Sequence, residues 1–133
     1  MAACRIDSEA SPQFNTLREH WRKSGYPSVN ADLAEAFEAI TKEVQAKHCK
    51  VMPRFTEILG GYTLHKYRQK NSAAKEGASG GWRIVAIFDK SARVLYPIIL
   101  YPKKAMSEAS DKQITECVLG LLKILQQRRG QAS

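Results

Sequence analysis

Apolar residues recur at helical spacing in two segments near the start of the chain. Ser11 and Pro12 are typical of a helix start, so the first helix is predicted to run from there to Ser24. The second is predicted from about Ser28 or Asn30 to His48. The apolar positions are Phe14, Leu17 and Trp21 in the first segment and Leu33, Phe37, Ile40 and Val44 in the second. The other face of the second helix is polar and includes Asp32. Together the two segments predict a helical hairpin.

After Gly61 a period of two replaces the helical spacing, which predicts a strand over residues 62–70. Alternate residues of a strand share a face. One face of this strand then carries Tyr62, Leu64, Lys66, Arg68 and Lys70, and the other carries Thr63, His65, Tyr67 and Gln69.

Two apolar runs at residues 82–88 and 94–101, joined by a turn at 89–93, predict two further strands, and a short strand is predicted at 3–7. Proline cannot donate a ladder hydrogen bond, so we expect a bulge or an unpaired edge at Pro97. A last helix, capped by Ser107 or Ser110, is predicted over about residues 110–127. Its apolar face is Ile114, Val118, Leu121, Leu122 and Leu125.

This order of elements predicts an α+β fold. We expect an N-terminal helical hairpin packed on a small antiparallel β-sheet, a meander of three to four strands, with a C-terminal helix. The helices are expected to cover one face of the sheet. A length of 133 residues predicts a single domain over residues 1–133, with a core at 3–126 and a frayed tail at 127–133.

Composition narrows the class of protein. The mean hydropathy is −0.39, no run is long and apolar enough to span a membrane, and residues 1–7 lack the apolar run typical of a signal peptide. The three cysteines, Cys4, Cys49 and Cys117, are widely spaced and form no CxxC pair, which favours reduced thiols in the cytoplasm. They are predicted to be apolar fillers. The alternative is a catalytic thiol paired with one of the histidines His20, His48 and His65.

The positive charge is concentrated in one segment. The net charge is +8, and residues 61–104 hold nine lysines and arginines against two acidic residues. Such focusing favours a polyanionic partner, most simply nucleic acid. A solvated basic face that aids solubility is the alternative.

Lysines and arginines on neighbouring strands form the candidate catalytic site. In a meander, Lys66, Arg68, Arg83, Lys103 and Lys104 converge on one end of the sheet, where they suit the charge that a phosphodiester gains in a transition state. RNA can be cleaved this way by attack of its own 2′-hydroxyl, with no metal or cofactor. Candidates for proton transfer are a lysine of the cluster, His65, Tyr67 and Tyr101. Candidates for RNA binding are Lys70, Lys75, Lys104, Trp82 and Tyr101, with the two aromatic rings stacking on bases.

The same residues resemble the RelE/HigB-type toxins of bacterial type II toxin–antitoxin systems, within the RelE/ParE superfamily. The resemblance spans about residues 3–126, with sharp motifs only in 64–104. These motifs are Leu64-His-Lys66-Tyr-Arg68, Gly77-Ala-Ser79-Gly80-Gly81-Trp-Arg83-Ile84 and Leu95-Tyr-Pro-Ile-Ile-Leu-Tyr101-Pro-Lys103. The chain departs from the family pattern at Ala78, where a lysine is common, and in residues 106–133, which lack the tyrosine or histidine found in the tail of some members.

The resemblance implies a small endoribonuclease, an mRNA interferase that works without metal or cofactor, cleaves mRNA in the ribosome and inhibits translation in the cytoplasm. It implies a cognate antitoxin protein that masks the basic face. It assigns Lys66 and Arg68 as catalytic strand cations, Arg83 as the phosphate-binding arginine and Lys103 as the cation after the last strand. Related ParE toxins poison gyrase on the same fold. The alternatives are therefore a non-catalytic ParE-like toxin, a relic that binds only antitoxin, or a plain RNA-binding domain.

Overall fold

The computed structural model describes residues 4–42, 49–51, 62–72, 81–105 and 110–132. The chain has an α+β fold, as predicted, and within these described ranges three helices accompany a mixed sheet. The helices are α1 (Pro12–Lys23), α2 (Val29–Lys42) and α3 (Asp111–Ala132). The strands are β1 (Arg5–Ile6), β2 (Cys49–Val51), β3 (Tyr62–Gln69), β4 (Trp82–Asp89) and β5 (Val94–Pro102).

Most element boundaries lie close to those predicted, with two differences. Strand β2 occupies residues between the predicted second helix and Pro53, where the sequence pattern predicts no strand. Helix α3 continues to Ala132, past the predicted end at Gln127, so most of the predicted frayed tail is helical. Residues 43–48 of the predicted second helix lie outside the described residues.

The sheet is mixed, so the predicted antiparallel sheet is wrong. The strand order is β1-β5-β4-β3-β2, in which β1 pairs with β5 in parallel and the other neighbours are antiparallel. The outer edge of β5 needs hydrogen-bond donors, and the short β1 supplies them while running in the same direction as β5. The N–H groups of Arg5 and Asp7 donate to the carbonyls of Arg93 and Leu95, each at 2.9 Å.

Helices cover both faces of the sheet, so the predicted one-sided layer is also wrong. On one side, the α3 face, Val85, Ile87 and Ile99 pack with residues of α3 such as Val118. On the other side, the α2 face, Ile84, Phe88 and Leu100 pack with residues of α2 such as Leu33. Every residue of β5 is buried, and so is every residue of β4 except Asp89. Such continuous apolar strands need cover on two sides.

Helix α1 lies along the outer edge of β5, beyond the short β1. Its Trp21 donates a hydrogen bond from Nε1 to the carbonyl of Leu100 at 2.8 Å. Leu17 and Trp21 pack against both cores, whereas α2 packs on one. The two helices therefore do not form the single hairpin layer that the sequence pattern predicts.

A β-bulge interrupts β5 at the predicted place. Ala86 pairs with Pro97 but Val85 pairs with Ile99, so Ile98 is an extra residue between them. The insertion shifts the face alternation of β5 by one position. As a result Tyr101 lies opposite Arg83 and faces the same side of the sheet, which determines the arrangement of the candidate site.

Among the residues that the structure describes, no helix is both long enough and apolar enough to cross a membrane.

Candidate nucleic-acid interface

Three strands bring charged and aromatic side chains into one row at the end of the α3 face. In the register of the sheet, Arg68 of β3 lies opposite Arg83 of β4, and Arg83 lies opposite Tyr101 of β5. Directly opposed residues of an antiparallel pair have their Cβ atoms about 4.5–5.5 Å apart on the same face. Lys66 belongs to the next row on this face, opposite Val85. The convergence predicted for Lys66, Arg68 and Arg83 therefore occurs.

Burial separates the roles that these cations can take. Arg68 is exposed and Lys66 is half-buried, whereas Arg83 is only 4% exposed. Burial lowers the pKa of the Arg83 guanidinium, and the nearby charge of Arg68 lowers it further. A guanidinium held this way is a fixed positive charge beneath the surface that Arg68 presents to solvent.

Lys103 lies at the same end of the sheet, held by its backbone. Its N–H donates to the carbonyl of Gly81 at 3.0 Å, directly before the start of β4. Its side chain is exposed, as is that of Lys104. We call Lys66, Arg68, Arg83 and Lys103 the cation cluster.

The predicted RNA-binding residue Lys70 is engaged outside this cluster. Lys70 forms an ion pair with Glu35 of α2, with 3.4 Å between Nζ and Oε2, so part of its charge is compensated. Lys75 lies outside the described residues.

The structure does not bring His65 and Tyr67, the predicted proton-transfer residues, to the cation cluster, because both residues face the opposite side of the sheet. His65 is 1% exposed, its Nε2 lies 2.7 Å from Oγ1 of Thr63, and its ring meets the edge of Phe88. Burial lowers the pKa of His65 to about 4, and the charge of Lys90 adds to the effect. Tyr67 is buried in the core beneath α2.

The structure does not present Trp82 and Tyr101, the rings predicted to stack on RNA bases, at the surface, since both are fully buried. Trp82 lies on the α2 face, where its ring meets that of Tyr26. Tyr101 lies behind Arg83 on the α3 face. Besides Lys66, it is the predicted proton-transfer candidate that shares a face with the cation cluster.

Asp32 is a buried polar residue that the sequence pattern places on the solvent side of α2. It is 2% exposed and accepts three hydrogen bonds. Its Oδ2 receives Nε1 of Trp82 and the backbone N–H of Ser72, both at 3.0 Å, and its Oδ1 receives Oγ of Ser72 at 2.6 Å. The sequence signal for this burial was helical spacing. Asp32 lies three residues after Val29 and four before Ala36, so it falls within the buried stripe of α2.

The free thiols of Cys4 and Cys117 are half-buried, and burial raises the pKa of both. A raised pKa disfavours the thiolate that nucleophilic catalysis requires. Among the described residues, no three His, Cys, Asp or Glu side chains gather as metal ligands would.

Comparison with known proteins gives no match, whether with family models, with curated proteins or with solved structures. Any function assigned to the chain therefore depends on the geometry and charge of its own residues.

Proposed function

We propose that the protein is a RelE-like endoribonuclease toxin that cleaves mRNA on the ribosome, without metal or cofactor. The observation that carries the proposal is the row in which Arg83 lies between Arg68 and Tyr101, with Lys66 beside it on the same face. The exposed guanidinium of Arg68 can fork two donors onto the phosphate oxygens of an RNA backbone, and the buried charge of Arg83 beside it adds to the attraction. We propose that residues 1–133 form one such toxin domain.

In the proposed reaction, the exposed Arg68 and Lys103 bind the phosphates and Arg83 stabilises the charge that develops on the phosphorane. The 2′-oxygen forms a bond to phosphorus while the bond from phosphorus to the next 5′-oxygen breaks. The uncharged amine form of Lys66 takes the proton of the 2′-hydroxyl and becomes an ammonium, and the departing 5′-oxygen takes a proton from water. The products are a 2′,3′-cyclic phosphate and a 5′-hydroxyl end.

The proposed partners follow from the same surface. mRNA in the ribosome supplies the polyanion, which places the protein in the cytoplasm. A cognate antitoxin would cover the cation cluster and neutralise the excess charge of residues 61–104, where nine basic residues face two acidic ones.

The test is an in vitro translation reaction in which mRNA 5′ ends are mapped by primer extension. We expect new ends within the reading frame with the wild-type protein, and at least about ten-fold slower cleavage with Arg68→Ala, since its side chain is exposed and its loss spares the core. Arg83→Gln should abolish cleavage.

Lys90→Ala is the matched control. It removes an equal charge from the same basic segment, but from the exposed turn at the opposite end of the sheet, so cleavage should continue at the wild-type rate. Intact mRNA and normal translation with the wild-type protein would overturn the proposal.

A second candidate is a non-catalytic protein of the same fold, either an RNA- or antitoxin-binding module or a ParE-like gyrase poison. Two observations favour it: Arg83 is nearly buried, and His65 and Tyr67 lie on the far face. A binding module would hold RNA with an affinity that falls steeply with salt and would form no cleavage product. A gyrase poison would instead inhibit DNA supercoiling in a purified assay.

A further inference from the structure

Asp32 connects α2 to both ends of the segment between β3 and β4. Ser72 follows the end of β3 and Trp82 opens β4, so the carboxylate holds the two sides of this connection from a single point. Each oxygen of the buried carboxylate has a hydrogen-bond donor, which compensates for its removal from water. The contacts span forty and fifty positions of sequence, so they fix tertiary geometry rather than a local turn.

A hydrogen-bonded path leads from this carboxylate to the cation cluster on the opposite face. The indole of Trp82 donates to Asp32, and the carbonyl of Trp82 accepts a hydrogen bond from Nη1 of Arg83 at 3.4 Å. Trp82 is itself fully buried and braced by the edge of the Tyr26 ring, with 5.2 Å between the ring centroids. A shift of Trp82 would therefore move the backbone that carries Arg83 and one of the acceptors of its guanidinium.

The same short segment also holds Lys103, since the carbonyl of Gly81 accepts the Lys103 N–H. Two of the four members of the cation cluster thus depend on where residues 81 and 82 lie. Within the described residues, the hydrogen bond from the Trp82 indole to Asp32 is the polar contact that joins residues 81 and 82 to a helix.

We propose that Asp32 is a positioning residue for the cation cluster: through Trp82 it sets the place of Arg83 opposite Arg68. The expected effect on RNA binding rests on the proposed function. The effect of Asp32 on the position of Arg83 does not. It predicts that the Arg83 side chain responds to a change at Asp32 on the other side of the sheet.

The experiment observes side-chain N–H groups by NMR in the full chain. The protein has two tryptophans, so two indole signals are expected, and Trp82→Phe assigns them by loss of one. The Nε–H signal of Arg83 is assigned in the same way with Arg83→Gln. Asp32→Asn puts an amide donor against the donors of Trp82 and Ser72, so we expect the Trp82 indole signal to shift and the Arg83 signal to broaden or exchange faster.

Two further variants separate positioning from general loss of stability. Ile40→Val trims the same helix and core without touching a polar group, and it should leave the Arg83 signal unchanged. Trp82→Phe should reproduce the effect of Asp32→Asn on Arg83, because the path passes through the indole. Ser72→Ala should not, because the Ser72 hydroxyl donates to Oδ1 of Asp32, whereas the Trp82 indole donates to Oδ2.

RNA binding supplies the second measurement. Asp32→Asn and Trp82→Phe should weaken binding of a single-stranded RNA oligonucleotide at least about three-fold and lower the salt dependence by about one phosphate contact. Ile40→Val should leave the salt dependence of RNA binding unchanged.

The outcomes distinguish the inference from the proposed function. An Arg83 signal that is unchanged in folded Asp32→Asn, or in Trp82→Phe if the first variant does not fold, would overturn the positioning role. If the Arg83 signal responds but the wild-type protein neither binds nor cleaves RNA, the proposed function fails and the positioning role stands.

Discussion

His65 shows at the residue scale how surroundings determine the chemistry of a side chain. In a model peptide its pKa is near 6.5, but burial on the α2 face lowers the pKa to about 4. Between these two values the unfolded chain binds a proton at His65 and the folded chain does not. Protons therefore favour the unfolded state across this window.

We expect the free energy of unfolding to fall as the pH is lowered from about 6.5 to about 4, with a loss of up to about 3 kcal/mol from this residue. Urea unfolding at a series of pH values measures it. His65→Gln keeps a hydrogen-bonding group beside Thr63 but does not titrate, so its curve should be flatter than that of the wild type. An equal slope in both proteins would contradict the assignment. His20→Gln, on the exposed side of α1, is the control.

The faces of His65 and Lys66 could be predicted from sequence, since strand alternation alone separates them. The burial of Asp32 could not, because the partners that satisfy its carboxylate are forty and fifty residues away. Trp82 and Tyr101 show the same limit. Aromatic rings beside cations suit base stacking, and only the packing of helices on both faces reveals that these two are core residues.

At the scale of elements, β5 is the strand on which the fold depends. It has β4 on one side, and on the other it has the short β1 followed by α1. The carbonyl of Leu100 lies beyond the reach of β1, and its described partner is the indole N–H of Trp21. Trp21 thus supplies a hydrogen-bond donor at a part of the β5 edge that β1 does not reach.

Trp21→Phe should therefore destabilise the protein by about 1–3 kcal/mol, because it keeps the aromatic packing but leaves this carbonyl without its donor. The midpoint of urea unfolding is the measurement. Hydrogen exchange should accelerate at the end of β5 around Leu100. A midpoint equal to that of the wild type would show that the hydrogen bond contributes nothing. Phe37→Leu, which alters an aromatic side chain at the rim of the core beneath α2, serves as the comparison.

The long elements were predictable because their apolar patterns are long and their ends are marked, as by Ser11 and Pro12 for α1. The bulge at Pro97 was predictable because proline lacks the required donor. The parallel pairing of β1 was not, since a two-residue strand carries no pattern that states its direction or partner. Strand β2, three residues long, was missed for the same reason.

At the scale of the whole molecule, the two ends of the chain are joined. Arg128 of α3 pairs with Asp7, with 2.9 Å between Nη1 and Oδ2, although Arg128 belongs to the segment predicted to be a frayed tail. Burial acts to raise the pKa of Asp7. The bonds from Arg128 and from the N–H of Ala10 outweigh it, so the pKa is below its ordinary value. The pair therefore stabilises the fold fully at pH values above the ordinary pKa of an aspartate. This stabilisation is lost as the pH falls through the lowered pKa of Asp7.

Arg128→Gln should lower the free energy of unfolding by up to about 1 kcal/mol at neutral pH, a modest effect because the arginine is 45% exposed. The loss should shrink in high salt and vanish in strong acid, where Asp7 is protonated. A double-mutant cycle with Asp7→Asn measures the pair, and additive losses would contradict the interaction. Lys123→Gln, an exposed charge on the same helix, controls for net charge.

The place of β5 in the sheet also governs the order in which the protein can be completed during its synthesis. Strand β1 and helices α1 and α2 leave the ribosome first, yet β1 has no partner until Val94 and Leu95 have been made. Arg83 likewise has no Tyr101 beside it until β5 is nearly finished. The cation cluster therefore cannot be complete before Lys103 has been added. A chain in which β5 has not yet been made therefore lacks the row of Arg68, Arg83 and Tyr101.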